Sequence, residues 1–235
     1  MADASPHLLR MIEEVAKALG PGLCARTAFV GGATTGLLVT DDFAREGVRF
    51  TDDVDLIIDI VSYGEWARFQ EELRQRGFQV SPEDDVICRM RLGKLKVDFM
   101  PDDEAILGFS NRWYELGLKT ATVYKLKEDL AVRILTPPLF TATKLEAYLG
   151  RGEGDLLMSR DIEDILLVID GREALLPEIA AAPLEVRRYI AEQFEALTKD
   201  AQFENAVAGN LRGDAGRIDL AFRRIAAAIE IGRHD

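Results

Sequence analysis

The chain has 235 residues, 48% of them hydrophobic, enough to bury a core in one large domain or two modest ones. Its net charge of −12 argues against a surface that grips nucleic acid throughout, because such binding needs Lys and Arg to neutralise phosphates; a local basic cleft remains open. The two cysteines (Cys24, Cys88) sit amid apolar neighbours and the two histidines (His7, His234) near opposite ends, which excludes a disulfide framework, Cys/His zinc and a mid-chain histidine base.

Residues 5–19 carry Leu8, Leu9, Ile12, Val15, Ala16 and Leu19 at helical spacing, and Gly20-Pro21-Gly22 predicts a stop. This segment mixes acids with bases instead of showing a signal-peptide layout, and the sequence holds no apolar run of about 18 residues, so a cytoplasmic protein without a membrane contact is expected. Thr27-Ala28-Phe29-Val30 reads as a short strand entering Gly31-Gly32, with helix from Ala33 to Val39 and a loop over Asp41–Gly47. Residues Asp53 to Ile60 read as a strand with Val54, Leu56, Ile58 and Ile60 on one face and the acids on the other. Tyr63–Arg76 follows as a helix on Trp66, Phe69 and Leu73. Val86–Leu92 and Lys94–Met100 form a candidate hairpin about Gly93.

Thr120–Leu135 holds a further short strand before Pro137-Pro138. Beyond it, Leu139–Leu149, Ser159–Ile169, Leu184–Leu197 and Ile218–Ile231 read as helices, and the glycine-rich Gly150–Gly154 between the first two reads as a flexible loop. The fold class expected is α/β (α+β): a mixed sheet flanked by helices, then a helical C-terminal region. The boundary near Thr136–Pro138 gives domains 1–136 and 137–235.

Strand residues two apart point the same way, so Asp53 and Asp55 present two carboxylates to one small volume. A hard divalent cation stabilises such a pair, and Mg²⁺ typically combines one or two carboxylates with substrate phosphate oxygens. Asp98, between apolar neighbours in a later strand, is either a third ligand or an acid paired with Lys94 or Lys96. Gly31-Gly32, between strand and helix, is either a close approach to a phosphate or an ordinary tight turn, with Thr34 or Thr35 able to add a hydroxyl. Lys144 reads on its own as a snorkelling lysine, and Asp161 and Asp164 as partners of Arg160 or a helix cap. Arg89, Arg91, Lys94, Lys96, Arg151 and Arg160 are candidates for a local RNA groove.

The strand–Gly-Gly–helix unit, then Arg49-Phe50-Thr51-Asp52-Asp53-Val54-Asp55-Leu56, then a later strand Asp, resembles the polymerase-β-type nucleotidyltransferase superfamily. Within it the chain is most similar to the AbiEii-type abortive-infection toxin nucleotidyltransferases. Two further blocks carry that likeness: Pro137-Pro138-Leu139-Phe140-Thr141-Ala142-Thr143-Lys144-Leu145-Glu146-Ala147, and Arg160-Asp161-Ile162-Glu163-Asp164-Ile165-Leu166. The resemblance implies an enzyme that transfers a nucleoside monophosphate from an NTP to an acceptor hydroxyl on a tRNA, a protein or a small molecule. It implies Asp53, Asp55 and Asp98 as ligands of Mg²⁺ (or Mn²⁺), and Gly31, Gly32, Thr34, Thr35 and Arg49 about the triphosphate. Lys144 would contact the phosphates, Asp161 and Asp164 would support the cleft, and a cognate antitoxin is the expected partner. Ala33 departs from the family, which often has Thr or Ser there. A non-catalytic member binding nucleotide or a partner protein is the competing expectation.

Overall fold

The computed structural model describes residues 5–151 and 155–234, so most of the Gly150–Gly154 loop lies outside the described residues. In chain order the elements are α1 (Ser5–Arg26), β1 (Thr27–Val30), a 3-10 turn (Gly32–Thr34), α2 (Thr35–Leu38), α3 (Asp42–Arg45), β2 (Asp53–Ile58), α4 (Tyr63–Gln75), β3 (Phe78–Gln79), β4 (Arg89–Leu92) and β5 (Leu95–Pro101). There follow α5 (Glu104–Leu107), α6 (Tyr114–Thr120), β6 (Thr122–Lys127), β7 (Leu130–Ile134), α7 (Pro137–Gly150), α8 (Arg160–Gly171), α9 (Leu175–Ala181), α10 (Leu184–Leu197), α11 (Phe203–Asn210) and α12 (Ala215–Arg233). The fold is mixed α/β, a seven-stranded mixed sheet flanked by helices with further helices towards the C-terminus. Among the described residues no helix is long and apolar enough to cross a membrane.

The chain divides into two compact units, one of Ala4–Thr34 with Arg49–Thr136 and one of Thr35–Val48 with Pro137–Asp235. The first contains the whole sheet, in the order β3-β4-β5-β2-β1-β7-β6. β2 is central, parallel to β5 and antiparallel to β1, and Val54, Leu56, Ile57 and Ile58 are fully buried along it. A strand covered on both faces reads as a continuous apolar run, so only its N-terminal end, with Asp53 and Asp55, has room for acids. Helix α4 starts at Ser62, whose hydroxyl accepts from the Glu65 amide, and buries Trp66, Phe69 and Leu73. Phe69 and Phe78 meet Phe99 of β5 edge-on, with ring centroids 5.5 and 5.4 Å away.

Within the stop expected over Gly20-Pro21-Gly22 the helix breaks at Gly20, and a second helical stretch follows across a kink. Gly20 adopts φ +67°, helix resumes through Arg26, and the Leu19 carbonyl at the break accepts from Arg76 Nη1 at 2.6 Å. Thr120–Leu135 holds two antiparallel strands, β6 and β7, where one was expected.

In the second unit the segment expected as a loop, Asp41–Gly47, contains α3, capped by Asp41 whose side chain accepts from the Ala44 amide. The amides of Thr40 and Asp41 both donate to the Gly171 carbonyl, at 2.8 and 2.9 Å, and Arg172 Nη1 donates to the Leu38 carbonyl at 2.7 Å. The C-terminal end of α8 thus finds its missing backbone partners in Thr35–Val48, a physical reason for that segment to join the helices. Arg217 of α12 adds ion pairs to Asp41 and Asp170 and stacks over Phe43, 4.5 Å from the ring centre. Helix α7 opens with Pro137-Pro138, tolerated in a first turn, and its residues from Pro137 to Leu145 are buried all round.

Candidate active site

In the sheet unit, strand register places the acids. Asp55 of β2 lies beside Asp98 of parallel β5, and Asp53 two residues earlier shares the Asp55 face. On the other side Asp55 is paired with Val30, the last residue of β1 before Gly31-Gly32. Three aspartates from two adjacent strands therefore stand at the glycine turn.

The glycine pair lets two side chains approach the turn closely. A Cβ on Gly31, which has φ +71°, would lie 1.8 Å from Asp55 Oδ2, and one on Gly32 would lie 2.3 Å from Arg49 Nη2. Arg49 and Asp55 are thus both pressed against the glycine pair. Thr34 is buried, and its hydroxyl donates to the Gly31 carbonyl at 2.9 Å, which fixes the turn. In the other unit Thr35 is fully buried and its hydroxyl has no hydrogen-bond partner.

Asp98 is buried, and neither Lys94 nor Lys96 pairs with it. Arg89, opposite Asp98 on antiparallel β4, grips it with a two-pronged fork: Nε to Oδ1 and Nη2 to Oδ2, both 2.7 Å. The same Nη2 reaches Asp53 Oδ2 at 3.4 Å, while the Thr51 hydroxyl donates to Asp53 Oδ1. The hydrogen bonds to Asp98 raise the guanidinium pKa above its ordinary value. Burial, followed by the negative charges of Asp98 and Asp55, pushes the neighbouring Cys88 thiol up to about 12. The sequence carried the signal for Arg89: Leu92 opposes Leu95 across Gly93-Lys94, and counting outward sets Arg89 against Asp98.

Hard carboxylate oxygens from neighbouring strands suit Mg²⁺ or Mn²⁺ as donors. A single guanidinium already touches Asp98 and Asp53 together, so their oxygens share a volume that one cation can neutralise. As the side chains stand, with Asp98 held by Arg89, no three acidic, His or Cys side chains among the described residues are grouped to hold a metal.

In the helical unit, Lys144 of α7 pairs with Asp161 Oδ1 at 3.1 Å and Asp164 Oδ2 at 2.7 Å, both on α8. Arg151 meets Asp161 Oδ2 at 2.8 Å. Lys144, Asp161 and Asp164 are all buried, so the lysine forms an internal ion cluster instead of snorkelling to water. Burial lowers the ammonium pKa, and the two carboxylates outweigh it, leaving the pKa raised. Arg160 is not the partner of these acids, and the cap of α8 is Ser159, which accepts from the Ile162 amide.

The bases proposed for a groove are largely committed to acids of the chain itself. Arg91 forks Asp84 at 2.7 and 2.8 Å, and Lys96 reaches Asp52 at 2.6 Å. A phosphate backbone would have to displace those carboxylates.

No family model matches this sequence, and a search of curated proteins returned no match.

Proposed function

We propose that this chain is a metal-dependent nucleotidyltransferase, transferring a nucleoside monophosphate from an NTP to an acceptor hydroxyl and releasing pyrophosphate. One observation carries the reading: Asp53, Asp55 and Asp98 occupy neighbouring strand positions beside a glycine turn whose Gly31 leaves room only for the Asp55 carboxylate. The likeness of these segments to polymerase-β-type enzymes, and to the AbiEii type among them, supports it.

Asp53, Asp55 and Asp98 would hold the divalent cation. When bound, that cation favours deprotonation of the acceptor hydroxyl and neutralises charge on the triphosphate. Gly31 and Gly32 let Asp55 and Arg49 close in on the turn, and Arg49 at Gly32 would supply a positive charge for the triphosphate. Thr51 orients Asp53, and Arg89 orients Asp98. Lys144, with Asp161 and Asp164, is assigned to the same activity on the resemblance alone.

The acceptor hydroxyl belongs, on the resemblance, to a tRNA, a protein or a small hydroxylated molecule. Cytoplasmic action as a toxin paired with an antitoxin belongs to the same proposal. A second reading, a non-catalytic nucleotide- or partner-binding protein, is favoured by the Arg89 fork on Asp98. Incubation with each labelled NTP, Mg²⁺ and a cell extract separates the two. Label transferred to a macromolecule or metabolite supports the enzyme; magnesium-dependent NTP binding without transfer supports the binding protein.

A further inference from the structure

We infer that Arg89 is the resident cation of the aspartate cluster and competes with a divalent ion for Asp98, so that loading the site requires Asp98 to pass from the guanidinium to the ion. The inference rests on the metal-site reading above and adds a control on how that site fills.

The geometry is specific to this arginine. Arg89 and Arg91, two apart on β4 and so on one face of it, meet different acids: Arg91 is taken by Asp84 in the preceding loop, outside the cluster, whereas Arg89 is directed at Asp98 and Asp53. Its fork engages both oxygens of Asp98, leaving neither in its best direction for a metal. Its third contact, to Asp53, spans the two strands that supply the ligands. The Arg89 side chain is only 15% exposed and that of Asp98 10%, so water weakens this pair little. A surface ion pair would be a negligible obstacle to a metal. A desolvated fork that already performs the cation's neutralising role is a real competitor.

The consequence is a site whose acids are partly neutralised when empty and that binds every divalent ion less tightly than the aspartates alone would. Without Arg89 the aspartates face one another with less compensation, and a divalent ion gains what the guanidinium supplied.

The test is Mn²⁺ affinity, read by the paramagnetic signal of free Mn²⁺ and by calorimetry without nucleotide or turnover. Arg89→Gln removes the charge, and Arg89→Lys keeps it while losing the fork. The expected result is affinity roughly ten- to a hundredfold tighter in Arg89→Gln, the range for losing hydrogen bonds to a charged group, with Arg89→Lys between it and the wild type. In an Asp98→Asn background the Arg89→Gln gain should vanish.

A merely structural arginine predicts equal or weaker Mn²⁺ binding when it is replaced. Equal or weaker binding beside measurable binding by the wild type overturns the inference and leaves the nucleotidyltransferase reading intact. Absence of Mn²⁺ binding from wild type and both variants overturns both. Should Arg89→Gln be unfolded without metal, refolding on Mn²⁺ addition, followed by circular dichroism, supports the inference; if it stays unfolded, Arg89→Lys decides by the same affinity criterion.

Discussion

Gly31 and Asp55 are in such close apposition that a methyl group on the glycine would fall 1.8 Å from the carboxylate oxygen. Backbone conformation compounds the restriction, since φ is +71° at Gly31. Gly31→Ala should therefore cost about 1–2 kcal/mol from the left-handed conformation alone. It must also push Asp55 aside, and displacing a reacting group by about 1 Å can cost roughly a hundredfold in rate. Thermal melts together with nucleotide-transfer assays check both effects; an alanine variant with unaltered melting and rate would contradict the geometry.

Asp53→Asn and Asp55→Asn change charge with little change of shape at half-buried positions. Each should leave the far-ultraviolet dichroism unchanged and lower the transfer rate by about a hundred- to a thousandfold, as when one electrostatic stabiliser is removed. Nucleotide transfer at the wild-type rate in either variant would defeat the assignment.

Lys144→Met leaves Asp161 and Asp164 buried and short of a cation, a loss worth about 3–5 kcal/mol for a buried pair broken on one side. The pH dependence has a definite sign. The folded pKa of Lys144 is raised above 10.5, so its stabilisation is complete below that pH and declines as the pH climbs through the higher folded value. Urea titrations should show the wild type losing stability above about pH 10.5, a slope reduced in the methionine variant.

Cys88 should resist alkylation. Its thiol is buried and pushed up to about 12, so at pH 8 almost none is thiolate and little is reachable. Trapping with iodoacetamide should proceed at the rate of global unfolding, and fast labelling of the native protein would show a more open strand end than the structure has. Its linkage works in the same direction: the unfolded thiol ionises near 9 and the folded one near 12, so stability falls as pH rises between them.

How much of this was legible in the sequence varies with the range of the interaction that decided it. β2, the β4–β5 hairpin, α4 and the principal C-terminal helices follow from periodicity and turn residues, which are local properties. The short helices α9 and α11, and the two-stranded β6–β7 hairpin, do not, because segments of seven or eight residues and exposed strands carry little periodic signal. The contact at the break in α1, where Arg76 donates to the Leu19 carbonyl, joins residues distant in the chain and has no local signal.

The candidate site divides in the same way. Spacing alone makes Asp53 and Asp55 neighbours on one face, because strand side chains alternate with a period of two. Only the tertiary structure sets Asp98 beside Asp55, gives it to Arg89 instead of Lys94 or Lys96, and buries Lys144 between Asp161 and Asp164. The physical reason is that local patterning determines where a side chain points, whereas which charge it meets is decided by strand register and helix packing between residues far apart in the chain.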